Sequence, residues 1–237
     1  MPLQTVAPQR LYQQIAEQLR TLIAAGEFLP GSRLPAERDL AKQLGVSRPS
    51  VREALIALEV EGWVEVRTGS GVYVLDRSGT LTRDTPIALS EWGPLELIRA
   101  RRVIEGEIAA IAAAQARRKD INAMRVALAA MVRDADADTV PLDGDRAFHS
   151  AIVQCTGNIV LIETVQTFWD ARSGPLFERL GNYFETKATW RAAIAEHTAI
   201  VDAIAAHDAE GARAAMHAHM DKSHTRFSAS WRRAKAI

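Results

Sequence analysis

The spacing of apolar residues changes once between residues 33 and 74, and this change constrains the fold more than any other feature of the chain. Apolar residues recur every three or four positions up to Gly45, and the same helical spacing starts again after Ser47, which can cap a second helix. The spacing then shortens to alternate positions on both sides of the glycine-containing turn at residues 68–71. Two short helices followed by a β-hairpin predict a winged helix-turn-helix.

The second of these helices carries basic residues where a recognition helix needs them. Arg48 and Arg52 are four residues apart, so they share one helix face near the N-terminus, the end that enters the major groove in this motif. Arginine suits both contacts available there, a guanine edge or a phosphate. Solvated arginines on an ordinary surface helix are the alternative for each residue taken singly. Their combination with the hairpin favours DNA binding.

This segment resembles the DNA-binding domain of the GntR family of bacterial repressors over about residues 10–76. The similarity is carried by LPAERDLA at 34–41, VSRPSVREAL at 46–55 and LEVEGW at 58–63. The resemblance implies contacts to operator DNA from seven positions, of which the first is the weakest match. These are Arg33, Arg38, Ser47, Arg48, Ser50, Arg52 and Gly69.

The composition divides the chain into two modules. An amphipathic helix over residues 9–26 completes a DNA-binding domain at 1–76, and the Ser-, Gly-, Thr- and Pro-containing stretch at 77–93 predicts a linker. Residues 94–232 are rich in alanine and helical in pattern, with no stretch typical of a strand. The helices are expected at roughly 94–117, 119–134, 142–156, 159–182, 187–207 and 209–232. We therefore expect a mainly α protein, a winged helix-turn-helix followed by an all-α antiparallel helical bundle.

Charge and composition exclude several classes of protein. The 237-residue chain has 29 basic and 29 acidic residues, so any affinity for DNA must be local. Cys155 is the single cysteine, which excludes an internal disulfide and a multi-cysteine zinc site. No apolar run approaches the roughly 20 residues of a membrane span, and the N-terminus lacks the apolar core of a signal peptide. These features predict a cytoplasmic protein without a membrane partner.

The helical module contains a candidate metal site. Asp145 and His149 are four residues apart, which places a carboxylate and an imidazole on one helix face. His197 and His219 each lie on the apolar face of another predicted helix. One aspartate and three histidines that face the interior from three helices could hold a metal ion with an open coordination position. For each histidine alone, a hydrogen-bonded core residue is the alternative.

The module also resembles the FadR-type C-terminal ligand-binding domain, called FCD, over about residues 94–228. The similar stretches are RVIE at 102–105, DRAFH at 145–149, TGN at 156–158 and the region around His197 and His219. The resemblance implies that Asp145, His149, His197 and His219 hold a divalent cation, most often zinc or nickel, that coordinates the carboxylate of an effector. The histidines without a family counterpart are expected at the surface: His207, His217 and His224.

A carboxylate effector needs further positive charge, and Arg101, Arg102 and Arg172 are the candidates, with salt bridges as the alternative role. The segment at 168–177 resembles the hexuronate-responsive branch of these regulators, which implies a sugar acid. Trp169 and Trp190 could stack on a sugar face or belong to the core.

Three functions remain open at this point. The first is a dimeric transcriptional repressor that binds a palindromic operator and is released by a small carboxylate such as a hexuronate. The second is a metal-dependent enzyme fused to a DNA-binding domain, for which Glu163, Glu178 or Glu185 would have to supply a general base. The third is an architectural DNA-binding protein with a purely structural bundle.

Overall fold

The computed structural model describes residues 10–76 and 91–229, and these form two compact units. The first contains the described residues up to Pro94 together with Gly174–Tyr183, and the second contains Leu95–Ser173 and Phe184–Ala229. Most of the predicted linker, at residues 77–90, and the end of the last predicted helix, at 230–232, lie outside the described residues. The predicted domain bounds therefore stay a prediction.

The first unit follows the predicted order of elements. Helices α1, α2 and α3 span Leu11–Ala24, Glu37–Leu44 and Arg48–Val60, and strands β1 and β2 span Val64–Arg67 and Gly71–Val74. Gly45 adopts the left-handed conformation that ends α2, with φ +67°. Ser47 then caps α3, because its hydroxyl oxygen accepts a hydrogen bond from the Ser50 amide at 3.2 Å.

The hairpin packs its valines against α3. The antiparallel register pairs Val64 with Val74 and Val66 with Val72, so these four side chains share one face and are buried. They cover the apolar side of α3, whose Leu55 is 1% exposed. The alternation along the strands thus builds the core of the DNA-binding fold, as predicted.

The second unit is helical throughout its described residues. Its helices are α4 (Pro94–Gln115), α5 (Arg118–Asp136), α6 (Leu142–Cys155), α7 (Ile159–Arg172), α9 (Lys187–Ala205) and α10 (Ala209–Phe227), while α8 (Pro175–Phe184) lies almost entirely in the first unit. Methionine, isoleucine and phenylalanine side chains from α5, α6, α9 and α10 form its core. The predicted fold class is confirmed, and no described helix is long and apolar enough to span a membrane.

One predicted helix is wrong. The single helix expected at 159–182 is two, since α7 ends at Arg172 and α8 begins at Pro175. A proline has no amide hydrogen to donate, and its ring disfavours helical geometry in the preceding residue, here Gly174. The Gly174 carbonyl instead accepts the first hydrogen bond of α8, from the Glu178 amide at 3.1 Å.

Candidate DNA-binding surface and metal centre

The N-terminal end of α3 presents a polar and basic surface. The Arg48 side chain is 52% exposed and that of Arg38, on α2, is 81% exposed. Ser47 is exposed at the cap of α3, where its hydroxyl also shares a 2.8 Å hydrogen bond with that of Ser50. Arg33 is exposed as well, next to the hairpin, with its backbone in a bridge to Tyr73.

Arg52 differs from these residues because it is buried. It is 1% exposed, and one of its terminal nitrogens donates to both carboxylate oxygens of Glu37 at 2.8 Å. Arg48 reaches the same carboxylate at 3.3 Å, so the two arginines do share a helix face, as their spacing predicts. They lie at different depths, however, and Arg52 joins α3 to α2 inside the fold.

The tip of the hairpin is open. Gly69 is exposed, its φ is +75°, and no atom lies within 4 Å of the position that a Cβ would take. Beside it, the Arg67 guanidinium stacks 4.4 Å from the centre of the Tyr73 ring. The tip therefore offers free backbone next to a positive charge.

The predicted metal ligands converge in the second unit. His149 on α6, His197 on α9 and His219 on α10 are 2%, 0% and 6% exposed, and their nearest ring nitrogens lie within 4.8 Å of one another. The Asp145 carboxylate, one turn before His149, lies 3.0 Å from His197 Nε2 and 3.5 Å from His149 Nε2. The three-helix arrangement expected from the sequence is present.

Each histidine is oriented by an acceptor on its outer side. Nδ1 of His149 donates to Glu105 at 2.5 Å, that of His197 to the Ala193 carbonyl at 2.7 Å, and that of His219 to Glu196 at 2.8 Å. Because carboxylates and carbonyls only accept, Nδ1 carries the hydrogen in each neutral ring. All three Nε2 atoms therefore turn a lone pair towards the centre.

This centre fits a divalent cation. His149 Nε2 and His197 Nε2 are 3.2 Å apart, and two unprotonated nitrogens at that distance repel each other unless a cation lies between them. Nitrogen ligands of a tetrahedral zinc ion are about 3.3 Å apart. In addition, Oδ1 of Asp145 is buried and accepts no hydrogen bond. Three imidazole nitrogens and one carboxylate oxygen form a donor set that zinc or nickel accepts.

The surroundings shift the pKa values of the histidines and of the carboxylates that orient them. Burial, and then the neighbouring His197, lowers the pKa of His219 to about 3, so its ring is neutral at physiological pH. Burial alone would raise the pKa of Glu105, but Arg101 and His149 outweigh this effect and lower the pKa to about 2. Burial alone would lower the pKa of His149, but the ionised Glu105 and Asp145 outweigh this effect and raise it. The hydrogen bond to Glu105 also orients the imidazole and makes it a stronger metal ligand.

Glu105, Glu196 and Arg226 were not among the site residues predicted from the sequence. Burial would raise the pKa of Glu196, but hydrogen bonds from His219 and Arg226 lower it to about 2. Arg226 donates to Glu196 at 2.9 Å. One signal was available: Arg226 lies seven residues after His219, two helical turns along the same face.

A cavity opens beside the histidines. Arg101 and Arg172 line it together with Asp145 and His219. Arg102 does not line it: its side chain is 39% exposed and pairs with Asp221 at 2.7 Å.

The remaining histidines lie outside the cluster. His207 is exposed and reaches the Ala113 carbonyl at 2.8 Å, whereas His217 and His224 are partly buried on α10. His217 and His224 are therefore less exposed than expected. Burial lowers the pKa of His224.

A winged helix-turn-helix combined with a helical domain that contains a small-molecule cavity defines the class of protein, a DNA-binding transcriptional regulator. The chain belongs to the gntR family of bacterial regulatory proteins, whose model matches residues 11–74, and it carries an FCD domain at residues 96–222. Both resemblances read from the sequence are confirmed. Proteins of this family bind operator DNA, and FCD domains bind small-molecule effectors.

Named relatives are regulators as well. The Uxu operon transcriptional regulator of Escherichia coli (strain K12) is 40% identical over 90% of this chain and 85% of its own length. The Exu regulon transcriptional regulator of the same strain is 36% identical over 91% and 84%. The solved structure of E. coli McbR/YncC aligns with a TM-score of 0.50 at 23% identity, covers 92% of this chain and 96% of that one, and shows a shared fold alone. The chain is a transcriptional regulator, and the enzyme hypothesis is set aside.

Proposed function

We propose that this protein is a metal-dependent, effector-responsive repressor that acts as a dimer in the bacterial cytoplasm. Two copies of one recognition helix read an inverted repeat with useful specificity, whereas a single helix reads only a few base pairs. Six of the seven predicted residues would make the DNA contacts, and all of them are exposed except Ser50, which is partly buried: Arg33, Arg38, Ser47, Arg48, Ser50 and Gly69. Arg52 would act by positioning α3 rather than by touching a base.

The observation that carries the proposal is the convergence of three Nε2 lone pairs and one orphaned carboxylate oxygen. Asp145, His149, His197 and His219 would hold a zinc or nickel ion. When bound, the ion supplies a Lewis-acidic position that accepts a carboxylate oxygen. Arg101 and Arg172, at the wall of the cavity, would orient the remainder of that ligand.

The effector we propose is a sugar acid of the hexuronate type. Two relatives are named as regulators of the Uxu operon and of the Exu regulon, and the segment at 168–177 resembles hexuronate-responsive regulators. Release from DNA requires that the effector bind the two states of the protein with affinities that differ by a few kcal/mol, because equal affinities shift no population.

The test is release of a labelled operator, selected from a random duplex library and followed by fluorescence anisotropy. We expect D-galacturonate or D-glucuronate, but not galactose or glucose, to release the DNA. Asp145→Ala should bind DNA normally and lose this response, while Asp143→Ala, which changes an exposed aspartate on the same helix, should keep it. Equal release by neutral sugars, or a normal response from Asp145→Ala, would disprove the metal–carboxylate mechanism.

A further inference from the structure

The arginines that line the cavity are already neutralised. Arg101 pairs with Glu105 at 2.5 Å, and Arg172 pairs with Glu185 at 2.9 Å. Arg226 pairs with Glu196 at 2.9 Å. The Lys222 ammonium is 62% exposed and approaches Glu196 only to 3.8 Å from the solvent side. These guanidinium groups can still donate hydrogen bonds, but none brings an unbalanced positive charge to the cavity.

Among the described residues around the cavity, only the metal centre can supply net positive charge, so this inference rests on the proposed function. Three of its ligands are neutral imidazoles and the fourth, Asp145, carries one negative charge. A divalent ion held by this set leaves a single positive charge, which balances one carboxylate. A second carboxylate on the same ligand would lie in the cavity beside Glu185 without a cation of its own, and an uncompensated charge at such a site is disfavoured.

The cavity wall also contains an unused donor. Trp190 lines the cavity and is 7% exposed, and its indole N–H is buried without a hydrogen-bond partner in the described structure. A buried N–H without an acceptor is costly, and indole nitrogen can only donate. A ligand that enters the cavity satisfies this group if it presents an oxygen to it.

We propose that the cavity selects a hydroxylated ligand with exactly one carboxylate, and that the Trp190 N–H recognises one of its hydroxyl oxygens. The metal centre would set the charge of the ligand, and Trp190 would add a requirement for a hydroxyl group. Trp190 is thus a specificity-determining residue for the effector rather than a core tryptophan.

The charge selection is tested with two open-chain acids that differ at one carbon. Galactonate and galactarate share the hydroxyl groups at C2 to C5, but galactarate has a second carboxylate in place of the terminal alcohol. Titration calorimetry on the zinc-loaded protein should show galactarate binding at least about 100-fold more weakly, as expected when like charges meet at a buried site. D-Galacturonate and D-glucuronate are measured beside them as further single-charge acids.

Trp190 is tested by Trp190→Phe, which keeps an aromatic ring and removes the N–H. We expect a loss of about 5- to 10-fold in affinity for the single-charge sugar acid that binds most tightly, with zinc affinity unchanged. Trp63→Phe is the control, because Trp63 belongs to the DNA-binding unit and does not line the cavity. This variant should bind the acid as the unmodified protein does.

The possible results distinguish a failure of this inference from a failure of the proposed function on which it rests. Binding of galactarate as tight as that of galactonate, or full affinity in Trp190→Phe, overturns the inference and leaves a metal-dependent sugar-acid regulator intact. If none of the three single-charge acids binds the zinc-loaded protein, the effector class itself is wrong. A loss shared equally by Trp190→Phe and Trp63→Phe also overturns the role of Trp190.

Discussion

Glu37 binds both Arg48 and Arg52, two arginines with the same predicted role in the sequence. The Arg48 side chain is half exposed and meets this carboxylate at 3.3 Å, whereas Arg52 is buried and makes two 2.8 Å contacts with it. Loss of one member of a buried ion pair leaves the other charge without compensation, while loss of an exposed partner changes the free energy of unfolding little. Substitution of Arg52 should therefore lower the free energy of unfolding, whereas substitution of Arg48 should weaken DNA binding.

Arg52→Ala should lower the free energy of unfolding of the DNA-binding domain by about 3–5 kcal/mol, measured by urea denaturation. Arg48→Ala should change it by less than about 0.5 kcal/mol and weaken operator binding by about 1–3 kcal/mol. Arg146→Ala is the control, an exposed arginine paired with Asp170 in the helical unit, and should alter neither. If Arg52→Ala were fully stable and only weakened DNA binding, its positioning role would be wrong.

At the scale of elements, α8 follows α7 in the chain but belongs almost entirely to the first unit, which contains the DNA-binding fold. Its Tyr183 hydroxyl donates to the Glu59 carboxylate at 2.7 Å, and Arg179 Nε donates to the same group at 2.9 Å. Glu59 lies near the end of α3, and it also accepts a 2.8 Å hydrogen bond from the Val66 amide of the hairpin. One buried carboxylate thus joins α3, the hairpin and α8.

Tyr183→Phe removes one donor from this carboxylate and should destabilise the first unit by about 1.5–3 kcal/mol, the usual value for a hydrogen bond to a charged group. Chemical denaturation measures the change. Tyr73→Phe is the control, since the Tyr73 hydroxyl shares its 2.7 Å hydrogen bond with Ser70 at the exposed hairpin tip. If Tyr183→Phe lowered the free energy of unfolding less than Tyr73→Phe, the hydrogen bond between Tyr183 and Glu59 would not stabilise the packing of α8.

At the scale of the whole molecule, the proposed ion would connect α6, α9 and α10 through side chains that are buried. An ion that binds the folded state alone stabilises it by about 2.7 kcal/mol when its free concentration is 100 times its Kd. In a chain of this length, that free energy corresponds to a rise of roughly 5–10 °C in Tm.

Removing the metal with a chelator should therefore lower the Tm of the helical domain by roughly 5–10 °C, and zinc or nickel should restore it. His219→Ala should melt at the lower temperature with or without added metal. His217→Ala, two residues away on the same helix and outside the cluster, should respond to metal normally. Identical melting curves for chelated and metal-loaded protein would refute the metal centre.

Local patterns were enough to predict much of this protein. Apolar spacing, the Ser47 cap and the turn at residues 68–71 specify the DNA-binding fold, because each depends on neighbours within about four residues. The same spacing placed Asp145 and His149 on one face of α6. The helix expected at 159–182 was wrong only where Pro175 interrupts it, and that proline was itself visible in the sequence.

Tertiary structure decided what depends on residues far apart in the chain. The depth of Arg52 is set by Glu37 on another helix, and the role of Glu105 becomes visible only when α4 lies beside His149. Arg101 and Arg172 reach the cavity while Arg102, adjacent in sequence to Arg101, pairs at the surface. Helical spacing defines which side chains share a face, but burial and charge pairing arise only when that face meets another element, so the sequence determined the candidate ligands and the packing determined which of them act together.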